Sequence, residues 1–335
     1  MSELERRKYY TDNKINELVR NLSDSNSLIS DVACVYATGS FGRHEADVGS
    51  DLDVFIVSKS KARGESGKGA RDAESQLRRL NEICLKADLI QATRKVGLPD
   101  FDGDGRYLVH HTVEDLKSKL GHPEDDALNT FTARLLLLLE SSPLLNKSVY
   151  DEIVGDVVAA YCEDYPGHED DFVPAFLTND ILRMWRTFCV NYEARTERDP
   201  IEKKIKRRQK NYTLKHSRLL TCYSAVIYLL AVYKMKGAVS PPDIVKMTAL
   251  SPSGRLKWLL SLDDVRGAHE PISAVLDQYQ EFLKVKADTE KFENMFVTSD
   301  DAKKHMSGAY AFSSSIFDAV DAVGEKSKLH RMILV

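Results

Sequence analysis

Apolar positions follow two different periods along this chain. Residues 2 to about 22 place Leu4, Tyr9, Ile15, Leu18 and Val19 at helical spacing, which predicts an amphipathic helix ended by the polar run Ser23-Asp24-Ser25-Asn26-Ser27. Val32-Ala33-Cys34-Val35-Tyr36-Ala37 is a short β-rich run. Leu52, Val54 and Ile56 then alternate with Asp51, Asp53 and Phe55, the period-two signature of a second strand. A polar loop from Ser58 to Gly69 follows. Arg71 to about Val96 reads as a long helix with Leu77, Leu80, Ile83, Cys84 and Ala87 on its apolar stripe, stopped by Gly97-Leu98-Pro99. Asp100 to Gly105 reads as a turn and Tyr107 to Thr112 as another strand.

Beyond residue 113 the period becomes helical throughout. Val113 to Leu120, Asn129 to Glu140, Ser148 to Tyr161, Pro174 to Glu193 and Leu214 to Lys236 read as helices, with Gly237 placed to end the last. Shorter helices, marked off by Pro241-Pro242 and Pro252, complete the chain. The predicted fold class is an α+β core, a small mixed sheet with flanking helices, followed by an all-helical domain. The expected domains are residues 1–115 and 116–335, with a ligand cleft between them.

Composition narrows the class. Of 335 residues, 43% are hydrophobic and 29% charged, the balance of a soluble globular protein. The formal net charge of −4 excludes a generic polyanion binder, so any nucleic-acid contact must come from a local patch. The five cysteines form no CxxC pair, which argues against a structural zinc site and a disulfide framework and for a reducing, cytoplasmic setting. The charged N-terminus lacks an apolar signal segment, and the run Leu135 to Leu139 is far too short to span a bilayer, so no membrane partner is expected.

The chemistry concentrates in Thr38-Gly39-Ser40-Phe41-Gly42-Arg43 and Gly49-Ser50-Asp51-Leu52-Asp53-Val54-Phe55-Ile56-Val57. Asp51 and Asp53 lie two apart, so on a strand both point to one face. Two close carboxylates repel unless a cation joins them, and Mg²⁺ (or Mn²⁺), which shares oxygen ligands with substrate phosphates, suits the pair. Gly39 and Gly42 permit a tight turn whose N–H groups, with Ser40, can face a phosphate. Asp is disfavoured within strands, so two on one face need a reason.

A strand, a Gly-Ser turn, a spacer from Phe41 to Ser50 and an Asp-x-Asp flanked by apolar residues resemble the active-site signature of the polymerase-β-like nucleotidyltransferase superfamily. The wording GSFGR…SDLDVFIV is similar to segments of oligoadenylate synthases and bacterial cyclic-oligonucleotide synthases. It is also similar to the uridylyltransferase that modifies a nitrogen-signalling protein. The resemblance implies a metal-dependent nucleotidyltransferase that takes an NMP from an NTP such as ATP to a hydroxyl and releases pyrophosphate. It implies Asp51 and Asp53 as metal ligands, and Gly39 and Ser40 as the phosphate cradle. It leaves the acceptor open among a protein or small molecule, an RNA end (as in RNA-modifying toxins) and another nucleotide (as in second-messenger synthases). A non-catalytic nucleotide-binding regulatory module is the rival class.

Further candidates are less determined. Arg43 reads equally as a phosphate contact or a surface charge. A third carboxylate is expected from a later strand; of Asp102 and Asp104, in a turn-forming Asp-Gly-Asp-Gly run, Asp104 is the candidate. The basic run Lys203 to Lys210 is followed by Lys215 and Arg218, three apart and so expected on one helix face, as cations for a triphosphate.

Overall fold

The computed structural model describes residues 1–61, 74–101, 108–194 and 201–334. Its contacts separate two compact units, Glu5–Glu163 and Met1–Leu4 with Asp164–Val335. The first unit is a four-stranded mixed sheet with helices on both faces. Its strands are β1 (Ala33–Thr38), β2 (Asp53–Ser58), β3 (His110–Thr112) and β4 (Ser142–Leu145), in the order β3-β2-β1-β4. β1 runs antiparallel to both β2 and β4, and β2 runs parallel to β3.

All six residues of β1 are buried, as a central strand covered on both faces must be. Val35 and Ala37, with Val54 and Ile56 of β2, join a core containing Leu18 of the Glu3–Asn21 helix, Leu22 just after it, and Leu85 and Leu89 of the Arg79–Lys95 helix. The opposite face carries Tyr36, paired in register with Phe55 and stacked on it at 5.7 Å, with Tyr150 of the Lys147–Tyr161 helix edge-on.

This is the expected α+β core, with three local differences. Residues 74–78 are not helical; Ser75 bridges to Ser60 and its hydroxyl accepts from Leu77 N–H, so the helix starts only at Arg79. β4 is a strand that alternation does not reveal, because it has four residues and includes Pro143, which is tolerated at a sheet edge. Since β4 pairs with β1 and the Lys147–Tyr161 helix covers it, the first unit runs on past residue 115 to Glu163.

The second unit is helical. Ile201–Thr213, a wide π-helical turn at Leu214–Arg218 and Leu219–Lys236 form one continuous stretch. The last part is buried over nearly its whole length, and Gly237, at φ 79°, ends it. The Ala175–Ala194, Pro252–Leu259 and Ser299–Gly324 helices pack around it. Among the described residues the stretch Ile205–Lys236 is the one helix long and apolar enough to cross a membrane, and 72% of its apolar window is buried inside the protein.

Candidate active site

β1 leads directly into the glycine turn. Thr38 is extended, Gly39 takes φ +64°, and Gly39–Gly42 make one helical turn. Only glycine adopts that φ without strain. Phe41 is fully buried in the core and anchors the turn from below. Gly42 has no room for a side chain, since a Cβ there would meet the Glu140 carbonyl oxygen at 1.9 Å and that of Ala37 at 2.9 Å.

The spacer that follows is clamped to the N-terminal helix. Arg6 and Arg7 both pair with Asp47, at 2.6 and 3.0 Å. Arg7 also donates to the Glu45 carbonyl at 2.9 Å, and Ala46 N–H donates to Thr11 Oγ1 at 2.9 Å. Burial pushes the Asp47 carboxyl up, but hydrogen bonds from Arg6 and the Val48 N–H, with the charge of Arg7, hold it below its ordinary value. Asp47 to Ser50 closes a turn: Ser50 N–H donates to the Asp47 carbonyl at 2.9 Å and Gly49 takes φ +84°.

The turn delivers the two acids. Asp51 is exposed just before β2, Leu52 is buried, and Asp53, partly buried, is the first residue of β2. Thr38 and Asp53 are register partners across β1 and β2, which puts the glycine turn beside the acidic pair. A Cβ on Gly39 would lie 2.8 Å from Asp53 Oδ2. The space at that carboxylate therefore exists only because residue 39 is glycine. Ser40 is partly exposed, and its hydroxyl has no protein partner among the described residues.

Two oxygen-bearing side chains beside a glycine turn fit a hard divalent cation that completes its shell with phosphate and water. Among the described residues no group of three or more His, Cys, Asp or Glu side chains forms a closed metal cage. Asp104, the expected third carboxylate, lies outside the described residues.

The remaining candidates each have a protein partner of their own. Arg43 is only 6% exposed, and its guanidinium donates to Glu45 and to Glu140, both at 2.9 Å. Its charge is met from within, so it braces the turn. Lys215 and Arg218 belong to the helical unit and are not on one face. Lys215 lies 4.5 Å from the Tyr310 ring centroid and Arg218 5.2 Å from that of Phe188, on two different helices. The π turn that contains both is the cause, since a wider turn rotates less per residue and parts positions three apart. Sequence reasoning did not find Glu140 or Arg7, whose partners lie 97 and 38 residues away in the chain.

Residues 15–106 match the nucleotidyltransferase domain family. The match holds the turn, β1, β2 and both acids, and fits the polymerase-β-like nucleotidyltransferase superfamily. The match lies within the first unit and supports transfer of a nucleoside monophosphate in general terms. No curated protein and no solved structure matches the chain.

Proposed function

We propose that the chain is a metal-dependent nucleotidyltransferase that moves an NMP from an NTP to a hydroxyl acceptor and releases pyrophosphate. The observation that carries this is the placing of Asp53 beside the turn, so close that a Cβ on Gly39 would meet its carboxylate, which joins a phosphate-binding turn to an acidic pair. Asp51 and Asp53 would hold Mg²⁺ or Mn²⁺, which supplies charge neutralisation at the phosphates when bound. The Ser40 hydroxyl and the turn N–H groups orient the terminal phosphates of the NTP. The acceptor oxygen attacks the α-phosphorus, the bond from that phosphorus to the bridging oxygen breaks, pyrophosphate leaves and the acceptor loses its proton. Rate comes mainly from positioning and charge stabilisation, with no covalent enzyme intermediate.

The test is equilibrium binding of each NTP with and without Mg²⁺, for wild type and Asp53→Asn. Metal-dependent binding that the substitution abolishes supports the reading. Binding indifferent to both metal and Asp53 would leave only a nucleotide-binding module.

A further inference from the structure

The glycine turn sits on a buried charge network that nucleotide chemistry does not itself require. Three arginines (6, 7 and 43) meet three carboxylates (Glu45, Asp47 and Glu140) between the N-terminal helix, the spacer and the end of the Thr130–Leu139 helix. Arg7, Arg43, Glu45 and Glu140 are all nearly inaccessible to solvent. Burying such charges is costly and is seldom the cheapest route to stability, since apolar residues of similar volume often serve as well. A segment with two glycines is conformationally loose, and fixing it is a service such a network can perform.

We propose that Glu140 is a positioning residue for the phosphate-binding turn, acting with Arg43; this rests on the nucleotidyl-transfer reading of the turn. Glu140 acts at two points. Its carbonyl oxygen occupies the place that a Gly42 side chain would take, and its carboxylate accepts from Arg43 at 2.9 Å. Arg43 in turn passes the constraint to the residues that face phosphate. The Arg43 N–H donates to the Gly39 carbonyl at 3.0 Å. Its guanidinium holds Glu45, whose N–H donates to the Ser40 carbonyl at 2.8 Å. Gly39 is therefore held by the Arg43 main chain and Ser40 through the Arg43 guanidinium and Glu45, and Glu140 is the distant anchor of that guanidinium. Glu140 itself touches no substrate in this scheme.

The experiment compares wild type, Glu140→Gln and Arg43→Lys in the full chain. Two quantities are read: affinity for MgATP, and hydrogen–deuterium exchange of the backbone over residues 38–46. Glu140→Gln keeps the side chain's shape and removes its charge. Arg43→Lys keeps the charge and removes the fork that spans both carboxylates, which provides a second variant should the first fold poorly. Affinity for MgATP should weaken about tenfold in each, the size that supporting outer-shell residues typically show. Exchange should rise over residues 38–46 and stay unchanged over residues 33–37 and β2. A purely structural role predicts uniformly faster exchange across the unit with affinity per folded molecule intact, and that result overturns the proposal. So does wild-type exchange and affinity in both folded variants. If wild type itself binds no MgATP, the nucleotidyl-transfer reading fails. The positioning proposal is then decided by exchange alone: selective loosening of residues 38–46 keeps Glu140 as the anchor of the turn, and its absence removes it.

Discussion

Gly39→Ala should separate loss of activity from loss of stability, with Gly49→Ala as its control. Both glycines sit at positive φ, +64° and +84°, so alanine at either position meets the same kind of backbone strain. That strain is about 1–2 kcal/mol. For a unit of this size it lowers the melting temperature by roughly 2–4 °C per kcal/mol. The two sites differ in what the new methyl meets. At Gly49 nothing lies within 4 Å. At Gly39 the Cβ would stand 2.8 Å from Asp53 Oδ2, where ordinary contact begins at 3.4 Å. The carboxylate or the turn must withdraw by about half an ångström, a displacement that phosphate-positioning geometry tolerates poorly. We expect Gly39→Ala to lose roughly 100-fold in kcat/KM for NTP, and Gly49→Ala to stay near wild type, with comparable melting temperatures. The assay is pyrophosphate release against NTP concentration, paired with a thermal melt of each variant. Wild-type turnover in folded Gly39→Ala would refute the reasoning, as would equal losses in the two variants.

Three further outcomes follow from packing and charge. Gly42→Ala drives a methyl onto two backbone carbonyls that cannot rotate away, so the first unit should fail to fold or lose more than about 4 kcal/mol, read by circular dichroism and urea titration. Asp125→Ala leaves Arg134, fully buried and bonded to both carboxylate oxygens at 2.9 and 2.5 Å, without its counter-charge; a loss of about 3–5 kcal/mol is expected in the same titration. His216, stacked on Phe282 and Phe312, is pushed down to about 4 by burial, against the hydrogen bond to the Tyr212 carbonyl that favours its charged form. The unfolded chain binds that proton near pH 6.5, so folding stability is complete above 6.5 and falls toward pH 4 by about 3 kcal/mol from this residue. His216→Phe should remove that share of the acid loss, measured as urea midpoints at pH 7 and pH 5. An unchanged pH dependence would show that His216 is not held neutral.

What was legible in the sequence was local. The turn glycines, the spacer and the alternation through Leu52, Val54 and Ile56 all lie within twenty residues, and they fixed the β1–turn–β2 unit that the family match also covers. The Glu3–Asn21 helix, with its apolar stripe, and the Leu219–Lys236 helix, apolar on all sides, were equally readable. Features set by distant partners were not. β4 has too few residues to show a period and is a strand because β1 offers it an edge. Arg43 looks like an available cation until Glu140, far along the chain, is brought against it. The separation of Lys215 from Arg218 depends on a π turn, and ordinary helical spacing misplaces both. Residues 74–78 carry helix-compatible composition, yet Ser75 is engaged by Ser58 and Leu77, and the helix waits until Arg79.

The most direct test of the central claim is pyrophosphate release from each of the four NTPs with Mg²⁺ or Mn²⁺, in the presence of total RNA or a protein extract as acceptor. Wild type is compared with the Asp51→Ala/Asp53→Ala double variant. The account predicts metal-dependent release by wild type that the double variant abolishes, with label from the α-phosphate appearing in one acceptor class. Release that survives the double variant, or none from folded wild type under any of these conditions, would contradict it.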